Sequence, residues 1–460
     1  MLLFFIISYL LITLFIGFWA SKKIKNTQDF TLAGRKMPVF VVAASLFATW
    51  FGSETVMGAS SEFLDEGVLG LMEDPFGASL CLFLVAIFFA RPLYRLNILT
   101  FSDYYRIRFS KTAEIISALL MIPSYFTWIS AQLIAMAIIL QAIAGVPIPW
   151  GISICTLAVV CYTYLGGMWA VSVTDTIQAV FIILGLGIVM VVLLQKTGGF
   201  EPIIAHQKEG FFDFFPKNNT KSWVTYFAAW MTIGLGSIPQ QDVFQRVLSA
   251  KDERTAVVGS YLSALMYLTV AMIPLVIALA GKTLYPNAAL ADNQMMIPFL
   301  VLNHTNIWIQ ILFFGALLSA ILSTASGAIL APATVVGENL LKPLMGNQLS
   351  DKMLLRSMRF SVVAIAIISA WIATLNGHIT ALVAQSSALS LVSLFVPLVA
   401  GLYVKKATAL GANLSMILGI LSWLIFEFFY PTDYPSLIYG LFFSIFGMVL
   451  GSLIERGKWQ

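Results

Sequence analysis

Ala44-Ser45-Leu46-Phe47-Ala48-Thr49-Trp50-Phe51-Gly52-Ser53-Glu54 lies in the middle of an apolar run covering about 38–61. A helix that only anchored the chain in lipid would stay apolar through its centre. This one carries hydroxyls, a glycine and a carboxylate there. Irregular backbone at membrane depth is tolerated only where it lines a cavity or is buried in protein. A second stretch, Thr232-Ile233-Gly234-Leu235-Gly236-Ser237-Ile238-Pro239-Gln240-Gln241, repeats the arrangement five spans later. Close packing through Gly and Ser explains either stretch taken singly. Matched interruptions in two halves point instead to a transporter built from inverted repeats.

The composition around these stretches agrees. Of 460 residues, 59% are hydrophobic and only 10% charged, against about 25% charged in a soluble domain. A soluble enzyme is excluded. The charges cluster between apolar runs of about 20 residues or more, each long enough to cross a bilayer. Spans are expected near 1–19, 38–61, 69–92, 112–144, 149–168, 175–195, 223–243, 256–280, 303–336, 357–375, 379–403, 408–428 and 435–454. No period-two alternation suggests a barrel, so the fold class is all-α integral membrane with 13 transmembrane helices. Residues 1–19 lack a basic leader and have Lys22, Lys23 and Lys25 after them, which reads as a span rather than a cleaved signal.

The net charge of +4 forms no basic stripe with interleaved aromatics, so no nucleic-acid partner is expected, nor an obligate protein partner. It reports topology. With the N-terminus outside, the inner loops hold 21 of the 26 basic residues and the outer loops keep Lys196, Lys208, Lys217, Lys221 and Lys282. The positive-inside rule then places the N-terminus outside and the C-terminus in the cytoplasm, in a multi-pass plasma-membrane protein. The long outer loop, about 196–222, carries Phe211-Phe212-Asp213-Phe214-Phe215 and reads as a lid or interfacial foot. Cys81, Cys155 and Cys161 fall inside apolar runs as small core side chains.

The ninth span offers a cation site. Ala320, Ser323 and Thr324 share one helix face at i, i+3 and i+4. Sodium wants oxygens and needs no thiolate or imidazole. Two hydroxyls plus carbonyls freed by an unwound second span, from Ala48 and Phe51, would supply about five oxygens. Taken alone, such a Ser-Thr pair also back-bonds to the preceding turn.

At these residues the chain resembles the sodium:solute symporter family. The matching stretches are Asp29-Phe30-Thr31-Leu32-Ala33-Gly34-Arg35, Tyr162-Thr163-Tyr164-Leu165-Gly166-Gly167-Met168-Trp169-Ala170-Val171 with Thr174-Asp175-Thr176-Ile177-Gln178, Gly236-Ser237-Ile238-Pro239 with Phe244-Gln245-Arg246, and Ser323-Thr324-Ala325-Ser326. The resemblance implies the leucine-transporter-like fold, an inverted 5+5 repeat. Its parts would be a lead helix (1–19), a first repeat (38–195), a second repeat (223–403) and two trailing helices (408–454), forming a single transmembrane domain. It implies Na⁺ as coupling ion, with no other cofactor, held by Ala48, Phe51, Ala320, Ser323 and Thr324. Asp175, expected at the inner end of the sixth span, matches an acid the family associates with sodium release or a second sodium. A loop-end acid bonding the Gly166-Gly167 turn accounts for it equally. Ser326 matches part of a second sodium site in some members, but Gly327 follows where they have a serine.

Local strings such as Ala48-Thr49-Trp50 and Phe88-Phe89-Ala90-Arg91-Pro92 are similar to the high-affinity choline branch. A quaternary ammonium is held by aromatic faces, and Trp50 and Trp128 match two of that cage's tryptophans. The third position is Gln240, as in proline-type branches, and a glutamine suits a carboxylate or amide partner. The expected solute is therefore a small organic molecule: an amino acid, a choline- or betaine-like solute, or another small cation or zwitterion. Glu54 and Asp74 are ionisable at membrane depth, where a role in solute binding and structural pairing are equally open. Glu62, Asp65 and Glu66 read as a solvated outer loop. Gln385 is a further pocket candidate. Two other classes compete with symport: an integral-membrane enzyme, for which no His-Glu-x-x-His or Gly-x-Ser-x-Gly motif is present, and a transporter-like receptor without net transport.

Overall fold

Pro38 opens α1 (Val39–Trp50), and the helix stops where the sequence turns small and polar. Phe51 takes φ −75° and ψ 90°, outside the helical region, while its amide still donates to the Phe47 carbonyl at 3.2 Å. The chain re-enters a helix as α2 (54–66), whose first turn, Glu54–Ala59, is wound wider than an α-helix. Gly67 ends α2 at φ +69°. A Cβ there would stand 2.3 Å from the Phe211 carbonyl oxygen, so the close approach of the aromatic loop requires glycine.

The computed structural model describes residues 24–457 except 206, 218, 287–292, 346–349 and 376, preceded by residues 4, 8, 11, 12, 15, 18, 19 and 22. The lead span expected at 1–19 therefore lies largely outside the described residues. After α2 come α3 (72–95), α4 (Phe101–Arg108), α5 (Lys111–Ala144), α6 (Ile148–Tyr164) and α7 (Gly167–Thr197). A capping box between Thr100 and Asp103 starts α4, and Ser110 caps α5. Next are α8 (Thr220–Gly236) and α9 (Gln241–Leu248), separated by a turn, then α10 (Glu253–Leu284), α11 (Ile307–Leu344), α12 (Asp351–Ala373), α13 (Ile379–Tyr403), α14 (Ala409–Phe429) and α15 (Ser436–Gly457). The fold is all-helical. Among the described residues, nine helices are long and apolar enough to cross a membrane by length and composition, and α1 and α6 are shorter apolar ones.

Two sequence expectations change here. The sixth span begins not near Asp175 but at Gly167, where φ 50° and ψ −161° fold the chain back with no loop to spare. Asp175 therefore stands about two turns inside α7 and is fully buried. Glu62, Asp65 and Glu66 belong to α2 rather than to an outer loop, because the helix continues after its break. Of the cysteines, Cys81 and Cys155 are buried as expected, while Cys161 is exposed on the outside of α6.

Packing gathers the interrupted helices at the centre. α1 packs on α7, α10 and α11, while α8 packs on α3 and α13. Phe40, Leu157, Phe360 and Trp371 are among the large apolar side chains left exposed around the bundle, a surface suited to lipid rather than water. The two ends differ. At the loop end, Phe211 packs tilted against Phe63 and Phe214 edge-on to Trp230, and Lys282 donates to the Leu64 carbonyl at 2.8 Å. At the basic end, Arg91 and Arg95 each reach Glu253 at 2.8 Å. Beside them, the Asn339 amide donates to Asp103 at 3.0 Å and to Glu114 at 2.8 Å, and its oxygen accepts from Thr100 at 2.7 Å. Tyr104 and Tyr105 donate to the Leu398 and Leu394 carbonyls, at 3.0 and 2.7 Å. These ties join α4, α5, α11 and α13 and close the basic end.

Candidate sodium and solute sites

The break after Trp50 leaves carbonyls without helical partners, and α11 runs directly behind it. Thr324 Oγ1 donates to the Ala48 carbonyl at 2.9 Å and is also 3.0 Å from the Ala320 carbonyl one turn back. Gly52 faces α11 here: a Cβ on it would meet Ile321 at 3.4 Å, an ordinary contact distance. Ser323 Oγ, on the same face, donates to Asp175 Oδ1 at 2.5 Å. Ala48, Ala320, Ser323 and Thr324 are thus brought together, with Phe51 at the non-helical residue that borders them. Every one of these positions is buried.

Asp175 links the break to the second half of the chain. Ser45 donates to its Oδ2 at 2.6 Å, and Arg246 Nη2 stands 3.7 Å from the same oxygen. Arg246 Nε donates in turn to the Ser45 carbonyl at 3.1 Å. Both charges are fully enclosed, at 1% and 0% side-chain exposure. Asp175 therefore sits beside Ser323 rather than on the Gly166-Gly167 turn. Ser326 pairs with Thr163 at 2.7 Å.

Beside the break lie two cavities that share lining residues. The inner chamber is small, about 10 Å³, lined among others by Trp50, Glu54, Asp74, Trp128, Ser237 and Gln240. It holds about one water. The outer vestibule is about 370 Å³ and shares Glu54, Asp74, Ile233 and Val383 with the chamber. Glu62, Glu66 and Glu73 also line it. Gln240 is in extended backbone ahead of α9, its amide 3.5 Å from Ser386 Oγ. Gln385 lines neither cavity; its neighbours Ser386 and Ser387 do, and one helical step turns Gln385 away from them.

Glu54 accepts from Trp128 Nε1 and from Gln132 Nε2, the latter at 2.8 Å, and Ser53 Oγ donates to Gln132 Oε1 at 2.6 Å. Asp74 accepts from Tyr267 and Thr55, each at 2.8 Å. Trp50 meets Tyr267 edge-on at 6.4 Å. Tyr267, Thr55 and Asp242 were not legible as site residues. Asp242 carried a signal nonetheless: it is an acid inside an apolar span, directly after the second break. Tyr267 carried none, since a tyrosine in an apolar helix is unexceptional.

Interrupted helices around a central, oxygen-lined break define a membrane transporter. The fold is similar to solved transporters: to a Na⁺-coupled sialic acid symporter in a substrate-bound outward-open state, with TM-score 0.83, 18% identity and 98% of each chain covered, and to a nucleobase-cation-symport-1 family transporter in a closed conformation, with TM-score 0.57, 16% identity, 94% of this chain and 96% of that one. Residues 30–419 match the model of the sodium:solute symporter family, and the chain belongs to that family. It is 27% identical to the human high affinity choline transporter over 94% of this chain and 79% of the relative. It is also 27% identical to the Escherichia coli sodium/proline symporter, over 97% and 92%, and to the osmoregulated proline transporter of Bacillus subtilis, over 97% and 94%. The chain is an integral-membrane, sodium-coupled symporter and not an enzyme.

Proposed function

We propose that the chain carries a small organic solute, an amino acid, a choline- or betaine-like solute or another small cation or zwitterion, into the cell with Na⁺ by alternating access. Na⁺ binds between Ala48 and Phe51 on the broken helix and Ala320, Ser323 and Thr324 on α11. Asp175 receives it on its way to the inner side, and Ser326 is the remnant of a second ion position. The solute binds against Trp50, Glu54, Asp74, Trp128 and Gln240. The loop end is extracellular, the N-terminus is outside and the C-terminus cytoplasmic. The chain has 13 spans in two inverted repeats, 38–195 and 223–403, after the lead helix and before the trailing pair.

The observation that carries this reading is the contact of Thr324 with the Ala48 carbonyl, which sets a hydroxyl and freed carbonyls on one point beneath the solute cavities. Bound there, Na⁺ stiffens the break that forms the chamber floor. Ion and solute then favour the same conformer and raise each other's affinity equally, a coupling of about 1–3 kcal/mol. Inward movement of each positive charge gains about 2.3 kcal/mol per 100 mV. The test is solute accumulation in proteoliposomes under an imposed Na⁺ gradient. Na⁺-dependent binding without accumulation would identify a receptor instead.

A further inference from the structure

Four carboxylates are buried around the two helix breaks: Glu54, Asp74, Asp175 and Asp242. One guanidinium is buried with them, and it is engaged. Arg246 faces Asp175 at 3.7 Å and donates to the Asp242 backbone carbonyl at 3.2 Å. A sodium ion at the proposed site would add its charge beside Ser323 and Asp175. Neither positive charge lies at Glu54 or Asp74, and among the described residues no lysine, arginine or histidine lines the chamber or the vestibule.

Among the described residues, every hydrogen-bond donor to those two acids is neutral: Trp128 and Gln132 for Glu54, Tyr267 and Thr55 for Asp74. Neutral donors fix a carboxylate's position and leave its charge uncompensated. Both bonds to Glu54 fall on Oε1. Its Oε2 has no protein donor among the described residues, and the residue, 6% exposed, lines both cavities. A quaternary ammonium could not satisfy that oxygen, because it has no hydrogen to donate. An N–H cation does so directly.

We infer that the solute carries two protonated nitrogens: it is a short aliphatic diamine, with one ammonium on Glu54 and the other on Asp74, its chain in the vestibule that both acids line. This rests on the symport reading and names its substrate class. Leu69, Ile233 and Val383 on the vestibule wall suit the methylenes, and the two carboxylates suit the ends as charge-assisted hydrogen-bond acceptors. A singly charged solute travelling with a proton on one carboxyl would balance the same charges, and the test separates the two.

The experiment measures binding of putrescine, butylamine, choline and proline to the purified full-length protein, with NaCl or KCl, across a pH series. Na⁺ alone is read first, as a rise in melting temperature. Its absence overturns the sodium reading on which the inference stands. Given that rise, putrescine is expected to bind more tightly than the other three by about tenfold or more, since losing one buried charged partner typically costs at least that much. Glu54→Gln and Asp74→Asn should each abolish the preference of putrescine over butylamine. Choline or proline binding as tightly as putrescine overturns the diamine and leaves sodium coupling standing. So does butylamine binding equally well with proton uptake. The wild-type panel decides the matter even where a variant does not fold.

Discussion

Thr324 Oγ1 and the Ala48 carbonyl oxygen meet at 2.9 Å, joining an unbroken helix to the torn end of another across 276 positions of sequence. Removing both hydroxyls of that face, in Ser323→Ala with Thr324→Ala, leaves only carbonyls for the ion. A hydrogen-bonding group lost from a charged partner is worth about 1.5–3 kcal/mol, or about tenfold to a hundredfold in affinity. Sodium titration of uptake should show that loss or no stimulation at all. Unchanged sodium dependence in the double variant would count against the site.

Asp175 and Arg246 form an enclosed pair, and the acid also accepts from Ser45 and Ser323. Asp175→Asn leaves the guanidinium facing a neutral amide. Breaking a buried pair costs about 3–5 kcal/mol, whereas removing both members costs much less. Thermal unfolding should therefore rank Asp175→Asn below the double variant Asp175→Asn with Arg246→Gln. The reverse order would mean that the two charges are not coupled.

Gly67 lies at φ +69° against the Phe211 carbonyl. Alanine there combines an unfavourable backbone region with a clash, at a cost of about 1–3 kcal/mol. The expected results are a lower melting temperature and faster proteolysis within the aromatic loop. Wild-type resistance would show that the loop is not seated on that corner.

Asn339 ties Thr100, Asp103 and Glu114 together at the basic end. Asn339→Ala cuts three hydrogen bonds present while that end is closed. Sodium favours the same closed-inside conformer in the proposed cycle, so its apparent affinity should fall in this variant by linkage. An affinity equal to or above wild type would separate this cluster from the transport equilibrium.

Much of the architecture was legible because membrane depth makes polarity informative. Hydroxyls and glycine at 45–53 have no reason to be in lipid, and the break at Phe51 follows from them. Ser323 and Thr324 were readable by helical spacing. What failed to show was backbone direction. Gly167 turns the chain within a single residue, so the expected loop before Asp175 is helix, and the acid lies deeper than hydropathy suggested. Gln385 was misjudged by one helical step, about 100° of rotation. The vestibule acids Glu62 and Glu66 looked like loop because charge interrupts an apolar run whether or not the helix continues. Tyr267 reaches Asp74 from a helix 193 positions away in sequence, a contact that no local pattern encodes.

Arg246 is buried, at 1% exposure. It is also walled in: a methyl on Gly327 would sit 2.6 Å from its Nη2. A cation so fixed shapes the local field but stays behind when the passengers depart. Over a full turnover, steady-state current therefore counts only sodium and solute, and the ratio of current to solute flux yields the transported stoichiometry directly.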